Sequence, residues 1–236
     1  TRIFSSLPCA FIGFKVPQSE GRVTSGSRRF GAPAPVVPYV TMTITIEKDV
    51  LESLLTTATF VEARDAYTGG HAWRVSQYGK LISEELGLHK DDIFVVQLGG
   101  LVHDVGKVGI SDTVLNKNGT LSSEELALMR KHPEAGIGAL GRHPLLSLVH
   151  DAILEHHERF DGQGYPGSRG GENLSVVGKI LAVADAFDAM TSTRAYRAGM
   201  PAERAAAIVR EESGKQFDPE AATALLTLHA RGTLNH

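Results

Sequence analysis

Residues 91–107 read DDIFVVQLGGLVHDVGK, an almost continuous apolar run that ends in His103-Asp104-Val105-Gly106-Lys107. A helix that is apolar on nearly every face belongs in a core, so the pattern predicts a buried helix over residues 91–103. Its end delivers an imidazole and a carboxylate side by side. Those mixed nitrogen and oxygen donors suit iron, manganese or zinc. The two oxygens of Asp104 allow it to bridge two ions, Gly106 lets the chain turn, and Lys107 adds a positive charge beside them.

Helical spacing continues on both sides of this stretch. Upstream, residues 46–67 carry Val50, Leu54, Leu55, Ala58 and Val61 at helical intervals. Residues 70–86 repeat the pattern with Trp73, Tyr78, Leu81, Ile82 and Leu86, and Gly87 is a natural stop. Downstream, Ser122-Ser123-Glu124-Glu125 matches a capping box ahead of a helix expected to run to about Leu140. Pro144 stands at a favoured first position for a helix through residue 158. Residues 161–167, DGQGYPG, are too rich in Gly and Pro for anything but a loop. Further helices are expected over residues 175–190, 201–212 and 219–230. Strand alternation and internal repeats are not found. The fold class is all-α.

Other donors fall on these helices. His71 opens one and is followed by Arg74-Val75, His132 lies late in another just before Pro133, and His156-His157 precede the glycine-rich loop. Asp185 sits inside the apolar run ILAVADAF, residues 180–187. A carboxylate there is costly unless paired or bound to a cation; pairing with an arginine or capping a helix is the bland alternative. The remaining histidines take blander readings. His89 and His143 lie at helix junctions, His229 and His236 lie near the C-terminus, and His150 reads as a supporting or core residue.

Together these motifs resemble the HD-GYP family, a branch of the HD superfamily of phosphohydrolases, over residues 65–219. The resemblance is carried by RDAYTGGH (64–71), HDVGKVGI (103–110), HHERFDG (156–162) with GYP (164–166), DAFDAMT (185–191), RAYR (194–197) and FDP (217–219). It implies an HD-superfamily helical bundle with an extended GYP loop. It implies one metal held by His71, His103, Asp104 and Asp185, with Asp104 bridging to a second held by His132, His156 and His157. A metal-bridging hydroxide would be the nucleophile, with Asp104 and Lys107 as catalytic residues and Lys107 neutralising charge on the phosphate oxygens. Iron or manganese is expected first; zinc and nickel also suit the donors. The family's usual substrate is cyclic di-GMP, opened to pGpG and in some members on to GMP. Alternatives are cyclic GMP-AMP or other nucleotides as substrate, or a catalytically weak signalling module acting through protein contacts. Some members carry an extra acid, for a third metal, at the position four residues before the first histidine; here that position is Tyr67, so a dinuclear site is expected.

The same resemblance suggests the substrate contacts. Asp65 matches the family's substrate-contacting acid, and Lys107 would meet phosphate. Arg194 and Arg197 are three apart and could offer forked donors from one helical face. Tyr165 presents a flat ring for stacking on guanine or for docking a protein. Asp188, one helical turn after Asp185, would orient a ligand or a base. In the family this loop is linked with diguanylate cyclases; sensory or receiver proteins are the other partner class, and a homodimer is compatible. Residues 167–175, GSRGGENLS, read as looser than the family's pattern.

Composition narrows the surroundings. The 236 residues suit one domain, are 42% hydrophobic, and balance 24 basic against 27 acidic side chains for a net charge of -3. That excludes a broad electrostatic footprint for duplex nucleic acid or an anionic membrane. The single cysteine, Cys9, cannot form an intramolecular disulfide, which favours a reducing, cytoplasmic setting. The apolar runs fall short of the roughly 18 residues of a membrane span. Residues 1–41 hold Pro8, Pro17, Pro33, Pro35 and Pro38 among Gly and Ser, and read as a disordered leader or linker before a domain at 42–236. Met42 is the expected true start, and the broken apolar stretch around Pro8 argues against a signal peptide.

Overall fold

The structure, a computed structural model, describes residues 46–65, 69–193 and 198–234. The leader with Cys9 and Met42, and also Tyr67, Arg194, Arg197 and His236, lie outside the described residues. Among the described residues the chain is helical, and its one β feature is an isolated bridge between Ser213 and Phe217. In chain order the helices are α1 (Lys48–Arg64), α2 (His71–Glu85), α3 (Lys90–Val102), α4 (Asp112–Leu115) and α5 (Ser123–Met129). They continue with α6 (His132–Leu140), α7 (Leu146–Glu155), α8 (Val176–Thr191), α9 (Ala202–Glu211) and α10 (Pro219–Ala230). A 3₁₀ turn at Val105–Gly109 follows α3, and another at Gly171–Asn173 precedes α8.

Helix α3 stands between two apolar clusters. On one side Val96 packs with Val75, Tyr78 and Ile82 of α2, with Ile180, Leu181 and Phe187 of α8, and with residues of α9 and α10. On the other, Leu98 and Val102 pack with Leu54 and Val61 of α1, Leu140 of α6, and Val149 and Ile153 of α7. Each such buried side chain contributes about 1.5–3 kcal/mol of transfer free energy. The α2–α3 crossing is so close that a Cβ at Gly100 would lie 2.7 Å from the Ser76 Cα, so the Gly99-Gly100 pair in the opening motif serves packing.

Local signals explain most helix ends. Asp91 and Asp92 lie in the first turn of α3, where negative charge suits the helix dipole. The capping box forms: Glu125 N donates to Ser122 Oγ at 3.3 Å, and Ser122 N to Glu125 Oε2 at 2.7 Å. Ser175 caps α8, accepting from Gly178 N at 3.0 Å.

Three expectations need correction. The helix expected from Ser122 to about Leu140 is broken into α5 and α6, because Pro133 lacks an N–H and fits only the first turn of a new helix. His132 therefore opens α6 instead of lying late in a helix. Helix α7 starts at Leu146, two residues after Pro144, and ends at Glu155, before His156. The chain does turn at Gly106, within the 3₁₀ segment Val105–Gly109, whereas the four-residue α4 carries no signal in the sequence. No helix among the described residues is long and apolar enough to cross a membrane.

Candidate metal centre

Helix ends do most of the positioning. His71 opens α2, His103 and Asp104 close α3, His132 opens α6, His156 and His157 follow α7, and Asp185 projects from within α8. Donor atoms of Asp104, His132, His156 and His157 all lie within 4.8 Å of one another, as do those of His71, His103 and Asp104.

The Asp104 carboxylate divides between these two groups. Its Oδ2 lies 3.3 Å from His103 Nε2 and 3.8 Å from His71 Nε2; its Oδ1 lies 3.3 Å from His132 Nε2 and 4.0 Å from His156 Nε2. Asp185 Oδ1 joins the first group, 3.2 Å from His71 Nε2.

The residues present fit a pair of metal ions. His103, His132 and His156 each donate Nδ1–H to a main-chain carbonyl: Gly100 O at 2.8 Å, Met129 O at 2.9 Å and Ile153 O at 2.9 Å. A neutral imidazole that donates from Nδ1 carries a bare lone pair on Nε2. His103 Nε2 is buried and meets no hydrogen-bond partner. His132 Nε2 and His156 Nε2 stand 3.1 Å apart, lone pair toward lone pair. A cation in each group would resolve both situations.

Electrostatics point the same way. Burial opposes charge on His71, yet hydrogen bonds to Asp185 and Asp188 push its pKa up to about 10. Burial would raise the Asp104 carboxyl, but Lys107 and His103 hold it well below the usual carboxylate range. Burial pushes His157 down to about 4, and burial with the neighbouring His157 pushes His156 well below its ordinary value. One group is therefore rich in carboxylates and the other in neutral imidazoles.

The suggested substrate contacts take different positions. Lys107 Nζ lies 2.8 Å from Asp65 Oδ2 and 2.8 Å from Asp104 Oδ2, so it clamps the end of α1 to the carboxylate between the two histidine groups. Asp188 is only 1% exposed and turns inward. Its Oδ2 accepts from His71 Nδ1 at 2.7 Å, and Arg74 grips it from Nε to Oδ1 at 2.6 Å and from Nη2 to Oδ2 at 3.1 Å. Asp188 thus backs His71 and has no free face for a base. Tyr165 stacks on His157 with ring centroids 4.8 Å apart, and the Arg130 guanidinium lies 5.3 Å from the Tyr165 ring centre. Arg194 and Arg197 lie outside the described residues.

The glycine-rich loop is pinned, contrary to the looseness read from its composition. Glu158 accepts from Gly167 N at 2.6 Å and Arg169 N at 3.1 Å. Glu155 accepts from Arg169 Nη1 at 3.0 Å and Ser175 N at 2.8 Å. Gly106 is required where the 3₁₀ turn meets α6, since a Cβ there would strike the His132 carbonyl oxygen and the Gly136 nitrogen. Arg74, Arg130, Glu155 and Glu158 were not given roles from the sequence. Arg74 did carry a signal, lying one helical turn after His71 on the same face.

Comparisons with known proteins agree with this architecture. A family model described as HD domain matches residues 56–221. The chain is 40% identical over 169 residues to a protein of Thermotoga maritima named cyclic di-GMP phosphodiesterase, covering 71% of this chain and 46% of that one. It is 32% identical over 189 residues to a Vibrio cholerae protein named 3'3'-cGAMP-specific phosphodiesterase 2, covering 79% of this chain and 36% of that one. The chain thus spans less than half the length of either relative. In fold it is similar to the crystal structure of a cyclic GMP-AMP-specific phosphodiesterase of V. cholerae, with a TM-score of 0.56 at 20% identity over 76% of this chain and 49% of that chain.

Proposed function

Because the chain belongs to the HD domain family, and within it to the HD-GYP branch, we propose that it is a metal-dependent phosphodiesterase that opens cyclic dinucleotides. Cyclic di-GMP is the leading substrate, cut to pGpG and then to GMP. The observation that carries this reading is the divided Asp104 carboxylate, one oxygen toward His71 and His103 and the other toward His132 and His156.

His71, His103, Asp104 and Asp185 would hold one ion, and Asp104, His132, His156 and His157 the other. Iron and manganese suit these donors, as do zinc and nickel. When bound, such ions supply Lewis-acid polarisation of the phosphodiester and acidify water for attack on phosphorus. The chain's own part is positioning. Lys107 fixes the Asp104 carboxylate from one side and brings positive charge to the place where a dianionic substrate arrives. Arg130 adds a guanidinium beside Tyr165, suited to a second phosphate. The loop over residues 161–170 is the surface we propose for a diguanylate cyclase or a sensory partner.

A second reading, cyclic GMP-AMP as substrate, is supported by the likeness to the V. cholerae relative of that name. The two dinucleotides differ at one base and present similar phosphodiesters, so the metal donors alone do not separate them. The test is a panel of cyclic di-GMP, cyclic GMP-AMP and an aryl phosphodiester, assayed without oxygen with iron or manganese. Faster hydrolysis of cyclic di-GMP is expected. Preference for cyclic GMP-AMP would select the second reading, and a fully loaded chain with no turnover would make it a signalling module.

A further inference from the structure

The ligand histidines are backed in two different ways. His103, His132 and His156 lean on main-chain carbonyls three residues earlier in the chain. His71 leans on the carboxylate of Asp188, 117 residues away on α8. Asp188 is buried, and its charge is met by the fork of Arg74, whose Nη1 also reaches Gly69 O at 3.2 Å. A carboxylate behind an imidazole raises its basicity and fixes its ring as a metal ligand. The His71 group also contains Asp185 and Asp104 Oδ2, whereas the opposite group sets three imidazoles against Asp104 Oδ1.

We propose that Asp188, held by Arg74, is a positioning residue that makes the two metal positions unequal. The position at His71, His103 and Asp185 holds its ion more tightly than the position at His132, His156 and His157. This deepens the metal-centre reading above and rests on it, though not on the identity of the substrate.

The test titrates the metal-free full chain with Mn²⁺ while free ion is read by electron paramagnetic resonance. Two classes of site are expected, one ion in each. Asp188→Asn keeps the shape and removes the charge; it should weaken the tighter class by about 10–100-fold and leave the weaker class in place. His132→Ala should remove the weaker class alone. Circular dichroism reports whether each variant folds. If the isolated Asn variant does not, the double variant Asp188→Asn with Arg74→Gln, which removes both charges together, takes its place with the same expectation. A single class of two equal ions would overturn the proposal, and so would a folded Asp188 variant that weakens both classes alike or neither. A folded natural chain that binds no Mn²⁺ would overturn the metal-centre reading as well. Two unequal classes without hydrolysis of any cyclic dinucleotide would overturn only the proposed function.

Discussion

The Nε2 atoms of His132 and His156 face each other across 3.1 Å while their Nδ1 atoms donate to main-chain carbonyls, of Met129 at the end of α5 and of Ile153 in α7. Burial holds both rings toward the neutral form, so the apposition gains nothing from a shared proton. It is a contact that a cation would stabilise. Removing metal with a chelator should therefore lower the melting temperature, and adding Mn²⁺ back should restore it. A ligand that binds only the folded state at about 100 times its Kd stabilises by about 2.7 kcal/mol. A thermal melt that is the same with chelator and with metal would sink this expectation.

Asp104→Ala should abolish turnover and strip metal. The substitution removes the one carboxylate shared by both groups and leaves Lys107 with Asp65 as its remaining acidic partner at ion-pair distance. Elemental analysis of the folded variant should find less than the natural chain's metal content. Full turnover by this variant would refute the bridging role.

Gly106→Ala tests the contact between the 3₁₀ turn and α6. Its methyl group would collide with the main chain at His132 and Gly136, and overpacking of this kind costs about 1–3 kcal/mol. Urea unfolding should show that loss. Because the displaced segment carries His132, the variant should also bind Mn²⁺ more weakly at one of its two positions. Unaltered stability and metal content would show that the turn yields without strain.

Glu158→Gln tests the anchoring of the glycine-rich loop. One of the two backbone amides held by Glu158, from Gly167 or Arg169, would then face an amide donor instead of a carboxylate oxygen. A lost acceptor of this type costs about 1–3 kcal/mol, and one or two kcal/mol corresponds to an opening equilibrium shifted about 5–30-fold. Limited trypsin digestion should cut after Arg169 faster by that order, with metal content unchanged. Equal cutting rates would mean that Glu155 and the main-chain bonds of Phe160 and Asp161 to Gln216 and Lys215 hold the loop without Glu158.

What could be read from the chain and what could not divides along physical lines. The buried helix α3, the stop at Gly87 and the Ser122 cap are local, written in periodicity and short-range hydrogen bonds, and could be read directly. Asp185 stood out because a carboxylate inside an apolar run demands a partner, and His103-Asp104 as an adjacent pair of metal donors, while the grouping of His71, His132, His156 and His157 with them came from the resemblance to HD-GYP motifs. The break at Pro133 was signalled by the proline itself but was masked by helical spacing that continues across it. A four-residue helix such as α4 is too short to show any period. The inward turn of Asp188 toward His71 and Arg74 depends on how α2 and α8 cross, and the Lys107 clamp depends on α1 ending beside α3. Neither pairing leaves a trace in local spacing.

The backing of the histidines also bears on the order of assembly. The rings of His103, His132 and His156 are tied to carbonyls three residues earlier, so each takes its aim from backbone close by in sequence. His71 acquires its aim only when α8 docks and brings Asp188 against it. A nascent chain thus has three of its candidate metal-facing rings aimed by nearby backbone, whereas His71 waits for tertiary closure.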